Sequence, residues 1–272
     1  MRTTFSTSRS DSRSRRAVAR AAILWVAIVS SLPVAAAVHA QTLSEFEPRL
    51  AANWESSDWA AVGVVTAATA GSYLIEERVR VAFQEHRSGL ADVLERIGWW
   101  YGTPLFTVPA SLITLGAGAA FKNPDVRDTG ILMSEVLLSA LLIQQPLRII
   151  VGRARPFMNQ GHFSFDPFTF SNDYASFVSG HSYSAFGISN VVARQVDQTW
   201  ASLTLYTLAT ITALSRMYAD AHWLTDVLLG SVLGYVISTA IWRNEQDNNG
   251  NQDPAMSLQA PDRRWLSVSL NF

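Results

Sequence analysis

Residues 215–226, SRMYADAHWLTD, set an arginine, a histidine and an aspartate between two apolar stretches. His222 and Asp226 are four apart, so on a helix they share a face, and the carboxylate can hold the imidazole in one tautomer while stabilising its positive charge. Arg216 lies six residues before His222 and would turn away from it on one continuous helix. If the two cooperate, the chain bends between Tyr218 and Ala221, with Arg216 closing one helix and His222 opening the next. By itself the His/Asp pair also reads as a structural pair near a helix start.

On either side of this stretch the chain is a series of apolar blocks. Residues 59–75, 104–121, 129–147, 200–215 and 223–242 are long enough for helices, and a shorter block runs over 181–193. The charged stretch 74–98 repeats its apolar residues at helical spacing and predicts an amphipathic helix lying on a surface. Strand patterns are scarce and no repeat has a fixed period. The expectation is an all-α fold, a bundle of about six core helices over 58–243, with a short segment at 41–57 before it and a polar tail at 244–272. Gly230 and Gly234 form a G-x-x-x-G pair suited to close helix contact in membranes. The core helices of a secreted globular protein would carry a similar pattern, and spanning the bilayer is the reading taken.

Composition narrows the function. The chain has 272 residues, 49% of them hydrophobic and 16% charged, with a net charge of −1, so it lacks the basic field of a nucleic-acid binder and no nucleic acid is expected as partner. The absence of cysteine removes disulfides, thiolate metal sites and thiol catalysis. Arg13, Arg15, Arg16 and Arg20 precede the run AAILWVAIVSSLPVAAAV, and Val38 and Ala40 stand where a signal peptidase reads. Residues 1–40 are therefore read as a signal peptide cleaved after Ala40, with export to a bacterial cell envelope; an uncleaved signal anchor is the alternative. The ending RRWLSVSLNF alternates like a strand, but no set of preceding strands exists to close a barrel, so it reads as a tail.

Two further polar clusters interrupt the apolar blocks. In RIIVGRARPF, residues 148–157, Arg148 and Arg155 are two helical turns apart and are expected to share a face before Pro156 stops the helix. Arginine suits multidentate grasping of phosphate oxygens. A juxtamembrane basic patch is the alternative, and Arg153 fits that role better than its neighbours. In ASFVSGHSYSAFG, residues 175–187, Ser179 and Gly180 precede a helix, so their backbone amides can face an anion at its N-terminus with His181 beside it.

Read together, Arg-x6-Arg-Pro, Ser-Gly-His and Ser-Arg-x5-His-x3-Asp resemble the three motifs of the type 2 phosphatidic acid phosphatase superfamily. The third motif matches at every fixed position, while Arg148 stands where the family pattern has lysine and Val178 where it has proline. The resemblance implies that His222 attacks phosphorus to form a phosphohistidine, that Asp226 orients and charges His222, and that His181 protonates the leaving oxygen. It further implies that Arg148, Arg155 and Arg216, with the Ser179 hydroxyl and the Gly180 amide, hold the non-bridging oxygens. Three arginines can take the role of a cation, so no metal and no other cofactor is expected. The implied substrate is a lipid phosphate or an isoprenoid diphosphate, met at the membrane. The aromatic loop 157–177 either admits the head group or packs as a lid, and His162 within it has no assigned role.

Sidedness is the difficult point. If the blocks at 59–75, 104–121 and 129–147 all span, Arg148 ends on the cytoplasmic side, whereas the family faces its site outward. The reading adopted is an inner-membrane protein with a periplasmic site and one irregular early segment. The alternatives are a soluble periplasmic acid phosphatase, a vanadium-dependent haloperoxidase with the same pocket, and a non-enzymatic relative that binds lipid phosphate.

Overall fold

A computed structural model describes Gly63 and residues 67–250. The expected signal peptide, the segment 41–57, most of the block at 59–75 and the strand-like end lie outside these residues. Among the described residues the fold is all-helical, with eight helices and no strand. They are α1 (Glu76–Glu85), α2 (Gly89–Gly102), α3 (Pro104–Ala120), α4 (Pro124–Ser139), α5 (Gln145–Val151), α6 (Gly180–Val196), α7 (Thr199–Tyr218) and α8 (Leu224–Gly250).

Two of the expected helices are divided, each for a local reason. The charged stretch at 74–98 is broken at His86–Ser88, where Ser88 caps the next helix by accepting from Ala91 N (3.3 Å), so one expected helix becomes α1 and α2. The block at 129–147 is interrupted by a π-helical turn, Ala140–Gln144, which separates α4 from α5. At the other end, α8 continues to Gly250, past the boundary expected at 243.

α6 is the central helix, packed against α8, α7, α4 and α2. Ten of its residues are buried, most of them small, which lets neighbouring backbones come close. The core that forms around it joins Tyr183, Ile188 and Val191 to Leu132, Met133 and Val136 of α4. Its buried polar groups are paired, as burial requires: Tyr183 with Ser139, Ser189 with Tyr101, and Asn190 with Ser238, Thr239 and Tyr206. The G-x-x-x-G pair of α8 faces this helix, and a Cβ on Gly230 would stand 2.5 Å from Ser179 O.

The outside of the bundle is apolar. Ile113, Phe121, Leu142, Trp200 and Leu203 are each more than 60% exposed, the reverse of a helix with a solvated outer face. Among the described residues one helical segment, Leu224–Gln246, is long and apolar enough to cross a membrane, and half of it is buried by its neighbours. α2 and α3 pass the same test as a pair but are bent by 49° at Thr103, where Pro104 begins the second helix.

Candidate active site

Four chain breaks bring the three polar clusters together. α7 ends at Tyr218, Asp220 takes a left-handed conformation (φ 55°), and α8 opens at Leu224, so the bend expected between Tyr218 and Ala221 is present, with Arg216 in the last turn of one helix and His222 just before the next. Ser179 is the N-cap of α6, its Oγ accepting from Ser182 N (3.4 Å), and Gly180 and His181 form the first turn. Ser179 N donates to Asp226 O (3.1 Å), tying the second cluster to the third. Gln144, buried in the π-helical turn, donates to Val178 O (2.7 Å), which ties the approach to the first cluster to the second.

Arg148 and Arg155 are not on one helical face. α5 stops at Val151 because Gly152 turns left-handed (φ 54°), and a Cβ there would collide with the Asp166 backbone. Residues 153–155 then run extended, with Ala154 N and Arg155 N donating to Ser164 O (2.9 Å) and Asp173 O (2.8 Å). The spacing of seven thus brings the two arginines to the site by a helix end followed by an extended strap.

The charges converge. Arg148, Arg216, Asp226 and Asp173 all act on Arg155, and Arg155, His181 and Arg216 all act on His222. Burial, then repulsion from Arg148 and Arg216, pulls Arg155 down to about 10, which leaves it cationic at neutral pH. Arg155 is held by Asn172 O (2.8 Å) and Ala221 O (3.3 Å), and Arg216 by Glu95 Oε1 (2.8 Å). The Arg148 guanidinium makes no hydrogen bond or ion pair to the described residues, and the buried Nε2 of His181 has no hydrogen-bond partner among them. Two guanidiniums, Arg155 and Arg216, thus act on both imidazoles and the third, Arg148, on Arg155, a donor set of the kind that suits an anion with several oxygens.

The position of Asp226 differs from the expected direct hold on the imidazole. His222 Nδ1 meets Ser176 O at 2.6 Å, and the Asp226 carboxylate instead accepts from Ser176 Oγ (2.5 Å), Trp223 N (3.1 Å) and Arg153 Nη1 (2.8 Å). The i,i+4 spacing fails here because His222 precedes the helix, and Asp226 turns back to cap that helix at the Trp223 amide. Asp226 therefore reaches His222 through Ser176. With a carbonyl as partner, Nδ1 carries the proton and Nε2 keeps a free lone pair. Burial, then the Arg155 charge, pushes His222 well below the ordinary imidazole value of 6.5, so the ring is neutral at neutral pH.

The family model described as the PAP2 superfamily matches residues 129–250. Those residues belong to the PAP2 superfamily. The match begins in α4 and includes all three clusters, and the PAP2 segment ends with α8. The chain is similar to the first transmembrane PAP2-type phosphatidylglycerolphosphate phosphatase of Bacillus subtilis, at 24% identity and a TM-score of 0.53, over 68% of this chain and 92% of that one. A crystal structure of LpxE from Aquifex aeolicus aligns with a TM-score of 0.47 at 19% identity, over 62% and 95% of the two chains. A lipid A 1-phosphatase of Porphyromonas gingivalis is 32% identical over 102 residues, which is 34% of this chain and only 23% of that relative.

Several residues around the three clusters carried no sequence signal that singled them out. Arg153, expected as a basic surface residue, is 2% exposed and binds Asp226, Thr225, Glu76 and the His162 carbonyl. Ser176 relays Asp226 to His222, Glu95 holds Arg216, and Glu76 reaches the third cluster across 149 residues of sequence. The aromatic loop does present its rings outward, with Phe163, Phe168 and Phe170 at least two-thirds exposed.

Proposed function

We propose that this chain is a phosphatase that hydrolyses a lipid phosphate at a membrane surface through a covalent phosphohistidine. The observation that carries the reading is the gathering of Arg155 and Arg216 around His181 and His222, with Arg148 beside Arg155 and its side chain unpaired among the described residues, and with His222 Nδ1 held by Ser176 O so that Nε2 keeps its lone pair as a neutral nucleophile. In the first step the Nε2 lone pair attacks phosphorus and the bond from phosphorus to the leaving oxygen breaks, while His181, kept neutral by burial and by the Arg216 and Arg155 charges, takes up at its unpartnered Nε2 the proton of the monoanionic phosphate ester and passes it to that oxygen. In the second, water attacks the phosphohistidine, His181 takes the proton back, and inorganic phosphate leaves. The guanidiniums, the Ser179 hydroxyl and the Gly180 amide hold the three non-bridging oxygens through both steps, which is the electrostatic help phosphoryl transfer needs. Ser179 Oγ accepts from Ser182 N and from Ser182 Oγ (3.0 Å), which leaves its own proton for the phosphate.

The apolar exterior and the Leu224–Gln246 segment support a membrane protein, and the site at the mouth of the helices leaves a lipid tail among them. The 49° bend in the α2–α3 pair supplies an irregular early segment, which favours a site on the periplasmic face of a bacterial inner membrane. The test is phosphate release by purified protein from phosphatidic acid, phosphatidylglycerol phosphate, an isoprenoid diphosphate and a soluble aryl phosphate, in the presence of chelator. Activity on at least one lipid, lost in His222→Ala and His181→Ala, is the expected result. Release from the aryl phosphate alone would favour a soluble acid phosphatase, and release from none would favour a binding protein.

A further inference from the structure

α1 lies outside the matched PAP2 segment, yet it is bonded along its length to the turn that carries Arg216 and His222. Glu76, Arg80 and Gln84 are spaced by four and share one face, and Arg87 follows just beyond the helix. Arg80 makes two bonds to the Asp220 carboxylate, at 2.7 and 2.8 Å. Gln84 Nε2 donates to Met217 O and Tyr218 O (both 3.3 Å), and Arg87 Nη2 to Tyr218 O (2.7 Å). Glu76, 1% exposed, accepts from Thr225 Oγ1 (2.6 Å) and from Arg153 Nη2, while Arg153 Nη1 pairs with Asp226. One buried guanidinium thus sits between two buried carboxylates, and the cluster carries a net charge of −1.

We infer that Glu76 is a positioning residue for the phosphatase proposed above, acting on His222 through Arg153, Asp226 and Ser176. By taking one side of the Arg153 fork, Glu76 stops that fork from closing on Asp226 alone. Asp226 keeps its bond to Ser176 Oγ, and the Ser176 carbonyl keeps His222 Nδ1–H in place. The surplus negative charge is then linked through Ser176 to the imidazole at the moment it becomes cationic by attacking phosphorus. Such an effect belongs to the transition state, so it falls on kcat with KM nearly unchanged.

The test compares wild type with Glu76→Gln, Glu76→Asp and Arg80→Met, scoring kcat and KM for lipid phosphate hydrolysis per folded molecule together with thermal unfolding. Glu76→Gln keeps the shape and an acceptor for Thr225 but removes the charge. The expected result is kcat lower by about 10- to 100-fold with KM within about threefold, the scale of losing an outer partner of a reactive group. Glu76→Asp, which retains the charge one methylene farther from Arg153, is expected to lose about three- to tenfold, and it decides the matter should Glu76→Gln not accumulate folded. Arg80→Met, which loosens α1 from Asp220 but leaves Arg153 and both carboxylates in place, should lower the unfolding temperature and cost kcat less than Glu76→Gln does. Lower unfolding temperatures with undiminished kcat in both Glu76 variants would make α1 a brace only and overturn the inference. A wild type that hydrolyses no lipid phosphate sinks the phosphatase reading and this inference with it, whereas an active wild type with active Glu76 variants sinks the inference alone.

Discussion

Replacing Gly230 by alanine tests whether the contact between α6 and α8 sets the geometry of the proposed phosphate site. The new Cβ would stand 2.5 Å from Ser179 O and 3.3 Å from its carbonyl carbon, and ordinary contact begins at 3.4 Å, so the two helices must part by about 0.9 Å. The atom displaced is the carbonyl of the N-cap, which itself accepts from Tyr183 N (3.0 Å), so the Ser179–Gly180–His181 turn has to move with it. Overpacking of this kind costs about 1–3 kcal/mol. A displacement near 1 Å at a reacting centre can cost about 100-fold in rate. The assay is kcat/KM for a short-chain lipid phosphate, read beside the unfolding temperature. Gly116→Ala serves as the control, since a Cβ there meets nothing within 4 Å and the change favours the helix. Gly230→Ala is expected to lose about 100-fold in kcat/KM while Gly116→Ala keeps full activity. Full activity in Gly230→Ala would show that the close approach of the two helices does not hold the site.

Three other perturbations separate holding from folding. Arg148→Ala removes a guanidinium with no bond to the described residues, so it should leave the unfolding temperature unchanged and lower kcat/KM by about 100- to 1,000-fold, the scale of losing one oxyanion donor; both are read in the same purified sample. Arg153→Leu leaves Glu76 and Asp226 as buried carboxylates without their cation, which costs about 3–5 kcal/mol, and loss of folded protein by size-exclusion chromatography checks it. His222, pushed below 6.5 by burial and by Arg155, should stay neutral when followed by NMR from pH 8 down past 6.5. A histidine whose folded value lies below its unfolded one contributes stability that is whole above 6.5 and is lost as pH falls toward the folded value, so stability should decline on the acid side of 6.5.

The parts of the site legible in the sequence are those written in local chemistry. A spacing of six between Arg216 and His222 cannot be met on one helix face, so it announced the break at Tyr218–Ala221. Serine before glycine announced a helix start near His181, and α6 begins at Gly180 with Ser179 as its N-cap. The errors arose where a contact crosses long stretches of chain. Glu76, Arg80 and Gln84 look like a solvated helix face because their partners, Thr225, Asp220 and Met217, are more than 130 residues away. Arg153 reads as one more basic residue among neighbours, and only the fold shows two carboxylates converging on it. The i,i+4 pair of His222 and Asp226 misled for a different reason: the pattern presumes a helix that starts before His222, and this one starts after it.

The most direct measurement is capture of the covalent intermediate. Enzyme mixed with a lipid phosphate labelled in its phosphoryl group, quenched in alkali within the first turnover and digested, should yield a single labelled peptide with the phosphate on His222 and none in His222→Ala. Phosphate release that proceeds at full rate in His222→Ala, or label on another residue, would contradict the assignment of His222 as the nucleophile.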